Sequence, residues 1–233
     1  MKIIGKGFIA QNLKKIKTSN KYIIYAAGVS NSNLKNKKKY YYEVKRIKTF
    51  LKKKIQGKVI IYISTLSVNN KFLKNDLYVK NKLIIEDLIK NSQNSFIIFR
   101  LPQIVGKSKN KYTLTNSIYN SIRKNKKFVL WKGSVRNLLD IADLKLIIEK
   151  YINNKPLKNS IINLYNPSSI KIENLIKIFE NILKKKAIIK VLSKKNKNVD
   201  YKNLSKKLNL SKKYFKNIIK FNYYEKTIKK YYK

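Results

Sequence analysis

The sequence predicts an α/β fold in which helices cover both faces of a parallel sheet. Apolar runs of strand length, such as Val59 to Ile63 and Phe96 to Phe99, alternate with longer runs of helical spacing. A short turn with two glycines joins the first strand to the first helix. Strands that alternate with helices in this way form a parallel sheet with right-handed crossovers.

The regular alternation continues to Gly106. The predicted strands there are Met1 to Ile4, Tyr22 to Ala27, Val59 to Ile63 and Phe96 to Phe99. The predicted helices are Gln11 to Lys17, Tyr40 to Lys54 and a helix that begins near Tyr78 and buries Ile84, Ile85, Leu88 and Ile89.

Beyond Gly106 the rhythm changes, and the elements become shorter. The predicted helices are Leu114 to Ile122, a segment ending near Ile152, and Ile170 to Leu183; the predicted strands are Phe128 to Trp131, Ile161 to Tyr165 and Ala187 to Leu192. A solvated loop is predicted at 194–198 and short helices at 203–233.

Composition narrows the class of protein. The chain of 233 residues is long enough for one core with an attached lobe. It has no Cys and no His, so disulfides are excluded and no metal site is expected. No run approaches the length of a membrane span, and the first ten residues lack the apolar core of a signal peptide. A cytoplasmic protein is therefore expected.

The net charge of +45 is interpreted mainly as compositional drift. Lys, Asn, Ile and Tyr are enriched together while Gly, Pro, Ala and Arg are scarce, as expected when an AT-rich genome changes every tolerant surface position. A nucleic-acid partner is therefore not expected, except by non-specific charge.

The turn after the first strand has the pattern G-x-G-x-x-A, from Gly5 to Ala10. Glycines at these positions let a backbone approach a pyrophosphate at the start of a helix. Two of only six glycines in the chain fall here. An ordinary strand-to-helix turn is the competing interpretation.

A second group of polar residues follows the strand at Val59. Thr65 stands at its carboxyl end, where open α/β sheets bind ligands. Tyr78 and Lys82 lie four residues apart and share one face of the next helix. A hydroxyl, a phenol and an ammonium together favour proton transfer. The Y-x-x-x-K spacing alone is weak in a chain with 17 tyrosines, since it recurs at Tyr41/Lys45 and Tyr151/Lys155.

Seven short segments follow one another along the chain: IIGKGFIAQNL, YAAGVS, YISTLSV, YVKNK, FRLPQIVG, RNLLDIADL and INLYNPSS. In this order they resemble the extended short-chain dehydrogenases, more particularly the NAD-dependent nucleotide-sugar epimerases and dehydratases. The resemblance covers about residues 1 to 170. It implies a Rossmann-like core at 1–103 and 137–165, with a small substrate-binding lobe at 104–136 and 166–233.

The resemblance also implies roles for individual residues. Tyr78 would be the general acid/base, activated by Lys82, which would also bind the nicotinamide ribose, and Thr65 would bind the reacting hydroxyl. The residues that would border NAD or NADP are Gly5, Gly7, Phe8, Ile9, Ala10, Ala26, Ala27, Gly28 and Lys82.

The substrate side is expected to include Gln103 near the sugar and Arg136 on the diphosphate of a nucleotide sugar. The chain holds only four arginines, and a planar fork suits diphosphates. Arg100 is interpreted instead as orienting core loops. A homodimer is a further expectation.

The chain departs from the family pattern in two places. Only Lys17 to Lys21 stands where about two strands and a helix are usual, so the sheet is expected to be shortened on one side, without the acidic residue that holds the adenine ribose. Leu66 follows Thr65 where family dehydratases often place Asp, so dehydration is the least expected reaction.

Three functions compete at this point. The favoured one is an NAD(P)-dependent epimerase or 4-keto reductase that acts on a nucleotide-activated sugar in surface polysaccharide synthesis. The second is a Rossmann nucleotide-binding module without catalysis. The third is an RNA-associated member of the same superfamily, which the charge favours although a clustered aromatic and basic stripe is missing.

Overall fold

The computed structural model describes residues 1–29, 34, 36–53, 55, 57–154, 158–193 and 222–233. The predicted loop at 194–198 and the segment 203–221 lie outside these residues. Among the helices of the described ranges, none combines the length and the hydrophobicity that a membrane crossing requires.

Strands and helices alternate along most of the described chain. The strands are β1 (Lys2–Ile4), β2 (Tyr22–Tyr25), β3 (Val59–Thr65), β4 (Ser95–Leu101), β5 (Gln103–Val105), β6 (Phe128–Trp131), β7 (Val135–Arg136), β8 (Leu138–Asp140), β9 (Ser160–Asn163), β10 (Ile170–Lys171) and β11 (Ile189–Leu192). The helices are α1 (Phe8–Leu13), α2 (Lys37–Leu51), α3 (Leu77–Lys90), α4 (Leu114–Arg123), α5 (Ile141–Asn153), α6 (Ile172–Leu183) and α7 (Tyr223–Tyr232).

A five-stranded sheet with the order β1-β2-β3-β4-β9 forms the centre of the molecule. All four pairings in it are parallel, as the alternating sequence predicts. The strand β1 lies at one edge because the chain passes from α1 to β2 with no strand between them. The predicted shortening of the sheet on this side is confirmed.

Helices cover both faces of this sheet. Successive side chains of a strand point to opposite faces, so Ile61 belongs to one hydrophobic cluster and Ile60 to another. Residues of α1 and α5 complete the first cluster, and residues of α2 and α3 complete the second. Because both faces are covered, β3 and β4 consist almost entirely of apolar residues.

A third hydrophobic cluster lies beyond the sheet. It joins α4, α6 and α7 to the short strands, with Phe179 and Ile228 fully buried in it. The residues of this cluster fall mostly in the segments expected to form the substrate-binding lobe. The division of the chain into two lobes stays a prediction.

The buried side of α3 differs in one residue from the prediction. Ile85 and Ile89 are fully buried, whereas Ile84 is 49% exposed. The apolar side chain of Ile84 predicts burial. The sheet, however, covers the face of α3 that carries Ile85 and Ile89, and Ile84 lies outside that face. The prediction for Ile84 was wrong for this reason.

Helix α7 is held by hydrogen bonds from its tyrosines. Tyr223 Oη donates to Asp143 Oδ2 at 2.7 Å and accepts from the backbone N–H of Asp140 at 2.9 Å. The carboxylate of Asp140 accepts from Tyr231 Oη at 2.6 Å and from Lys230 Nζ at 2.7 Å. The last helix is thereby bonded to the start of α5, where Asp140 also caps the helix.

Replacing Tyr223 by Phe is expected to destabilise the fold. The change leaves the half-buried Asp143 carboxylate and the Asp140 N–H without a buried partner, which costs about 1–3 kcal/mol of unfolding free energy. Chemical denaturation measures the difference, with Tyr42→Phe at an exposed position as the control. Equal unfolding free energies of the two variants would contradict this role of Tyr223.

Candidate active site

The carboxyl end of β3 carries Thr65, which is half-buried. Its Oγ1 accepts a hydrogen bond from the N–H of Ser67 at 3.2 Å and so caps the short 3₁₀ helix Leu66–Asn69. A hydroxyl that accepts in this way keeps its own hydrogen free to be donated. The cap therefore accounts for a polar residue here and is compatible with a role towards a substrate.

Helix α3 places Tyr78 and Lys82 one turn apart. Asp76 caps the helix through the N–H of Val79, so Tyr78 is its second residue. Tyr78 is half-buried, while Lys82 is buried with its Nζ 5.6 Å from the centre of the Tyr78 ring. The structure thus brings together the phenol and the ammonium that the spacing predicted to share a face.

The ammonium of Lys82 is held by two neighbouring side chains. Its Nζ donates to Glu43 Oε1 at 2.9 Å and to Tyr62 Oη at 3.3 Å. Burial lowers the pKa of Lys82, but the interactions with Tyr62, Tyr78 and Glu43 outweigh it, so the pKa lies above its ordinary value. Burial raises the pKa of the Tyr62 phenol, which therefore stays neutral.

Glu43 is a site residue that the sequence interpretation missed. It is fully buried on α2, and its Oε2 accepts from the backbone N–H of Val29 at 3.0 Å and from Asn81 Nδ2 at 3.1 Å. A usable signal existed, because Glu43 shares helical spacing with the buried Tyr40 and Ile47. An acidic residue on the apolar face of a Lys-rich helix indicates a buried cation partner.

Gly28 lies directly over this ion pair. A Cβ at Gly28 would come within 2.3 Å of Lys82 Nζ and 2.7 Å of Glu43 Oε1. The close approach of the ion pair to the backbone therefore accounts for a glycine in the turn after β2. The expected contact of Ala26, Ala27 and Gly28 with a cofactor stays a prediction.

The glycine turn after β1 also has the predicted close contacts. Gly5 has a φ of +137°, and a Cβ there would lie 2.4 Å from the carbonyl oxygen of Ala26 and 3.1 Å from Ala10 Cβ. Gly7 begins α1, and a Cβ there would meet nothing within 4 Å. Gly5, Ala10 and Ala26 thus meet tightly, whereas the space above Gly7 is open.

The two apolar residues of this turn pack inwards. Phe8 and Ile9 are half-buried against the first hydrophobic cluster. A Cβ at Gly106 would come within 2.5 Å of Phe8 Cζ, so the Phe8 ring lies against the backbone at the end of β5. Packing accounts for both residues, and their contact with a cofactor stays a prediction.

A second buried ion pair stabilises the loop after Thr65. Arg100 Nε and Nη2 donate to the Glu86 carboxylate at 2.5–3.2 Å, and Ser64 Oγ donates to the same carboxylate at 2.5 Å. Arg100 Nη1 donates to Asn69 Oδ1 at 3.1 Å, and Asn69 in turn donates to Asn163 at 3.1 Å. Arg100 orients this loop, as the sequence predicted.

The two residues predicted to bind substrate lie outside the central sheet. Gln103 is exposed on β5, and Arg136 is half-buried on β7, where its Nη1 donates to the carbonyl of Val135 at 2.9 Å. The neighbouring Asn137 is buried and donates to the carbonyls of Asn166 and Ser168 at 2.7 and 3.0 Å. These bonds fix the strand beside Arg136, whose role towards a substrate stays a prediction.

Replacing Glu86 by Gln is expected to lower stability markedly. The Arg100 guanidinium would lose its buried counter-ion, which costs about 3 kcal/mol of unfolding free energy. Asp87→Asn on the same helix is the matched control, because its ion pair with Lys90 is exposed and contributes less than about 1 kcal/mol. Denaturant titration of both variants distinguishes them, and equal losses would argue against the Glu86–Arg100 pair as a stabilising element.

Comparison with known proteins identifies the fold. No protein-family model matches the chain, and no curated protein sequence matches it. Solved structures do match. UDP-glucuronic acid 4-epimerase from Bacillus cereus, in complex with UDP-glucuronic acid and NAD, has a TM-score of 0.70 at 18% identity and covers 97% of this chain and 77% of that chain.

Two further matches come from other bacteria. RMD from Pseudomonas aeruginosa, complexed with NADPH, has a TM-score of 0.71 at 12% identity over 97% of this chain and 95% of that chain. The enzyme WbmG from Bordetella bronchiseptica, in complex with NAD and UDP, has a TM-score of 0.67 at 12% identity over 89% and 70%. The chain has the Rossmann-like α/β fold of these NAD- and NADPH-bound proteins.

Proposed function

We propose that this protein is an NAD(P)-dependent epimerase or 4-keto reductase that acts on a nucleotide-activated sugar in surface polysaccharide synthesis. The observation that carries the proposal is the placement of Tyr78 over the buried Lys82 ammonium. Thr65 ends the neighbouring strand β3, which also supplies Tyr62 to Lys82. Similar folds bind NAD together with UDP-glucuronic acid or UDP, which supports the same class of ligand.

The residues around the glycine turn fit the phosphate half of a dinucleotide. The open space above Gly7 and the tight contact of Gly5 with Ala26 leave exposed backbone at the start of α1. Lys82 uses two of its three N–H donors within the described chain, so the third can reach a ribose hydroxyl. A bound nicotinamide would supply the hydride acceptor.

The adenosine side offers fewer contacts. The strand β1 is the edge of the sheet, and the sequence has no Asp or Glu before Glu43. Glu43 itself is buried against Lys82 and is therefore committed to that ion pair. We expect the adenosine half to be held loosely, with the phosphates and the nicotinamide contributing most of the affinity.

The chemistry assigned to the chain is proton transfer at a sugar hydroxyl. Tyr78 in its phenolate form would take the proton from this hydroxyl and, as the resulting phenol, return it, while the Lys82 ammonium stabilises the phenolate. The Thr65 hydroxyl would orient the same group. Arg136 would hold the diphosphate of the substrate with its planar fork, and Gln103 would hydrogen-bond the sugar.

The residue after Thr65 favours epimerisation or reduction over dehydration. Residue 66 is a leucine with a buried aliphatic side chain, so this position supplies no carboxyl group to act on a leaving hydroxyl. The similar structures do not favour the alternatives of a non-catalytic nucleotide-binding module or an RNA-associated protein. The homodimer and the cytoplasmic location stay predictions.

Replacing Tyr78 by Phe is expected to lower turnover of the sugar substrate by about 10²–10⁴-fold, because the variant cannot transfer the proton. Tyr41→Phe is the matched control, since Tyr41 has a lysine at the same spacing but lies 64% exposed on α2. Turnover is measured as conversion of a nucleotide-sugar panel followed by chromatography. Unchanged turnover in Tyr78→Phe would remove Tyr78 from the mechanism.

Replacing Gly7 by Ala is expected to weaken cofactor binding without unfolding the protein. Gly7 has a φ of −77°, which alanine adopts freely, and the added methyl group meets no protein atom within 4 Å. Where a pyrophosphate packs, the methyl group should lower affinity for NADH or NADPH by about tenfold, or 1.4 kcal/mol.

Calorimetry of both chains with the oxidised and reduced nucleotides tests this, and the melting temperature verifies the fold. If Gly7→Ala and the unchanged chain bound the nucleotides with equal affinity, the phosphates would not pack against Gly7. No binding to the unchanged chain at millimolar nucleotide would contradict the proposed enzymatic function.

A further inference from the structure

We propose that Glu43 is a positioning residue that keeps Lys82 charged at the candidate site and ties the Gly28–Val29 turn to helices α2 and α3. The inference rests on the proposed function for its consequence, because Lys82 matters to a nicotinamide ribose only if a dinucleotide binds. The role of Glu43 as the counter-ion of Lys82 stands on contacts within the chain alone.

The first argument is the arrangement of donors around the carboxylate. Oε1 accepts from Lys82 Nζ at 2.9 Å, and Oε2 accepts from Val29 N at 3.0 Å and from Asn81 Nδ2 at 3.1 Å. All three partners are donors, so a group that only accepts matches them. A carboxamide would direct its own NH₂ group at one of the donors.

The second argument is the position of the pair beneath the backbone. Lys82 Nζ and Glu43 Oε1 lie 2.3 and 2.7 Å from the place that a Cβ at residue 28 would occupy, so a side chain there would have to displace the pair. The ammonium therefore lies against the turn that follows β2. A shift of Glu43 would release both the ammonium and the Val29 N–H, and so would change the shape of the turn.

The third argument is the cost of burying the ammonium without a partner. Lys82 is 3% exposed and Glu43 is 0% exposed. Burial alone favours neutral lysine, and the phenols of Tyr62 and Tyr78, which also raise the Lys82 pKa, carry no charge near neutrality. The titratable groups that face Lys82 are Tyr25 from β2, Tyr62 from β3, Tyr40 and Glu43 from α2, and Tyr78 from α3. Glu43 is the anion among them.

The variant Glu43→Gln tests the inference through the pH dependence of binding. Without its counter-ion, buried Lys82 should lose its proton at a lower pH, so affinity for NADH should fall by about tenfold between pH 7 and pH 9.5. The unchanged chain and the variant Glu149→Gln, which removes a carboxylate from α5, should show no such fall. Glu43→Asp should restore the profile in part. A parallel profile for Glu43→Gln and the unchanged chain would overturn the inference.

A second measurement needs no cofactor. A lysine whose pKa is raised in the folded state stabilises the protein fully at pH values below 10.5, the ordinary lysine pKa. A lysine whose pKa is lowered in the folded state destabilises the protein at neutral pH, and this destabilisation disappears as the pH rises towards 10.5. The difference in melting temperature between the unchanged chain and Glu43→Gln should therefore narrow between pH 7 and pH 10. A constant difference would show a structural role without control of the Lys82 charge, which would overturn the inference.

The double variant Glu43→Gln/Lys82→Met covers the case in which the single variant does not fold. Recovery of the melting temperature in the double variant would support the ion pair, because both buried charges are then gone. An equal loss of melting temperature in the single and the double variant would overturn the inference. If the unchanged chain bound neither NADH nor NADPH, the proposed function would fail, and the melting temperatures would still decide whether Glu43 holds the charge of Lys82.

Discussion

Seven residues of β3 pair in parallel with seven residues of β4, from Val59 with Ser95 to Thr65 with Leu101. The pairing lies in the middle of the sheet, and hydrophobic clusters cover it on both faces. Parallel strands end at the same edge, so the pairing places Ser64, Thr65 and Arg100 together at the carboxyl end. The candidate site is built on this edge, and helix α3, which follows β3 directly, supplies its titratable groups.

Three acidic residues lie where elements meet. Among the described residues, Glu43, Glu86 and Asp140 are buried, and each pairs with a cation. Glu43 links α2 to α3 and the turn after β2, Glu86 links α3 to the ends of β3 and β4, and Asp140 links β8 to α7. Losing one partner of a buried pair leaves an uncompensated charge, whereas exchange at exposed positions costs little. This difference explains how the surface could reach a net charge of +45 while these three acids remained.

The short sheet has a physical consequence at its edge. The strand β1 pairs with β2 on one side and presents its other side as the edge of the sheet. Lys2 is exposed on this strand, and a charged side chain on a short edge strand discourages pairing with another chain. The shortened sheet still carries the glycine turn and the Tyr78–Lys82 pair.

The sequence by itself determined the order of elements, the parallel sheet, its shortened side and the shared face of Tyr78 and Lys82. These features follow from local periodicity and from the spacing of residues on one element. The tertiary structure decided which partner each buried polar group meets. Glu43 and Lys82 are 39 residues apart, and Ser64 and Glu86 are 22 apart, so no local pattern links them. It also decided that Gly28 makes room for an ion pair and that Ile84 stays exposed, because helical spacing shows which residues share a face but not which element covers it.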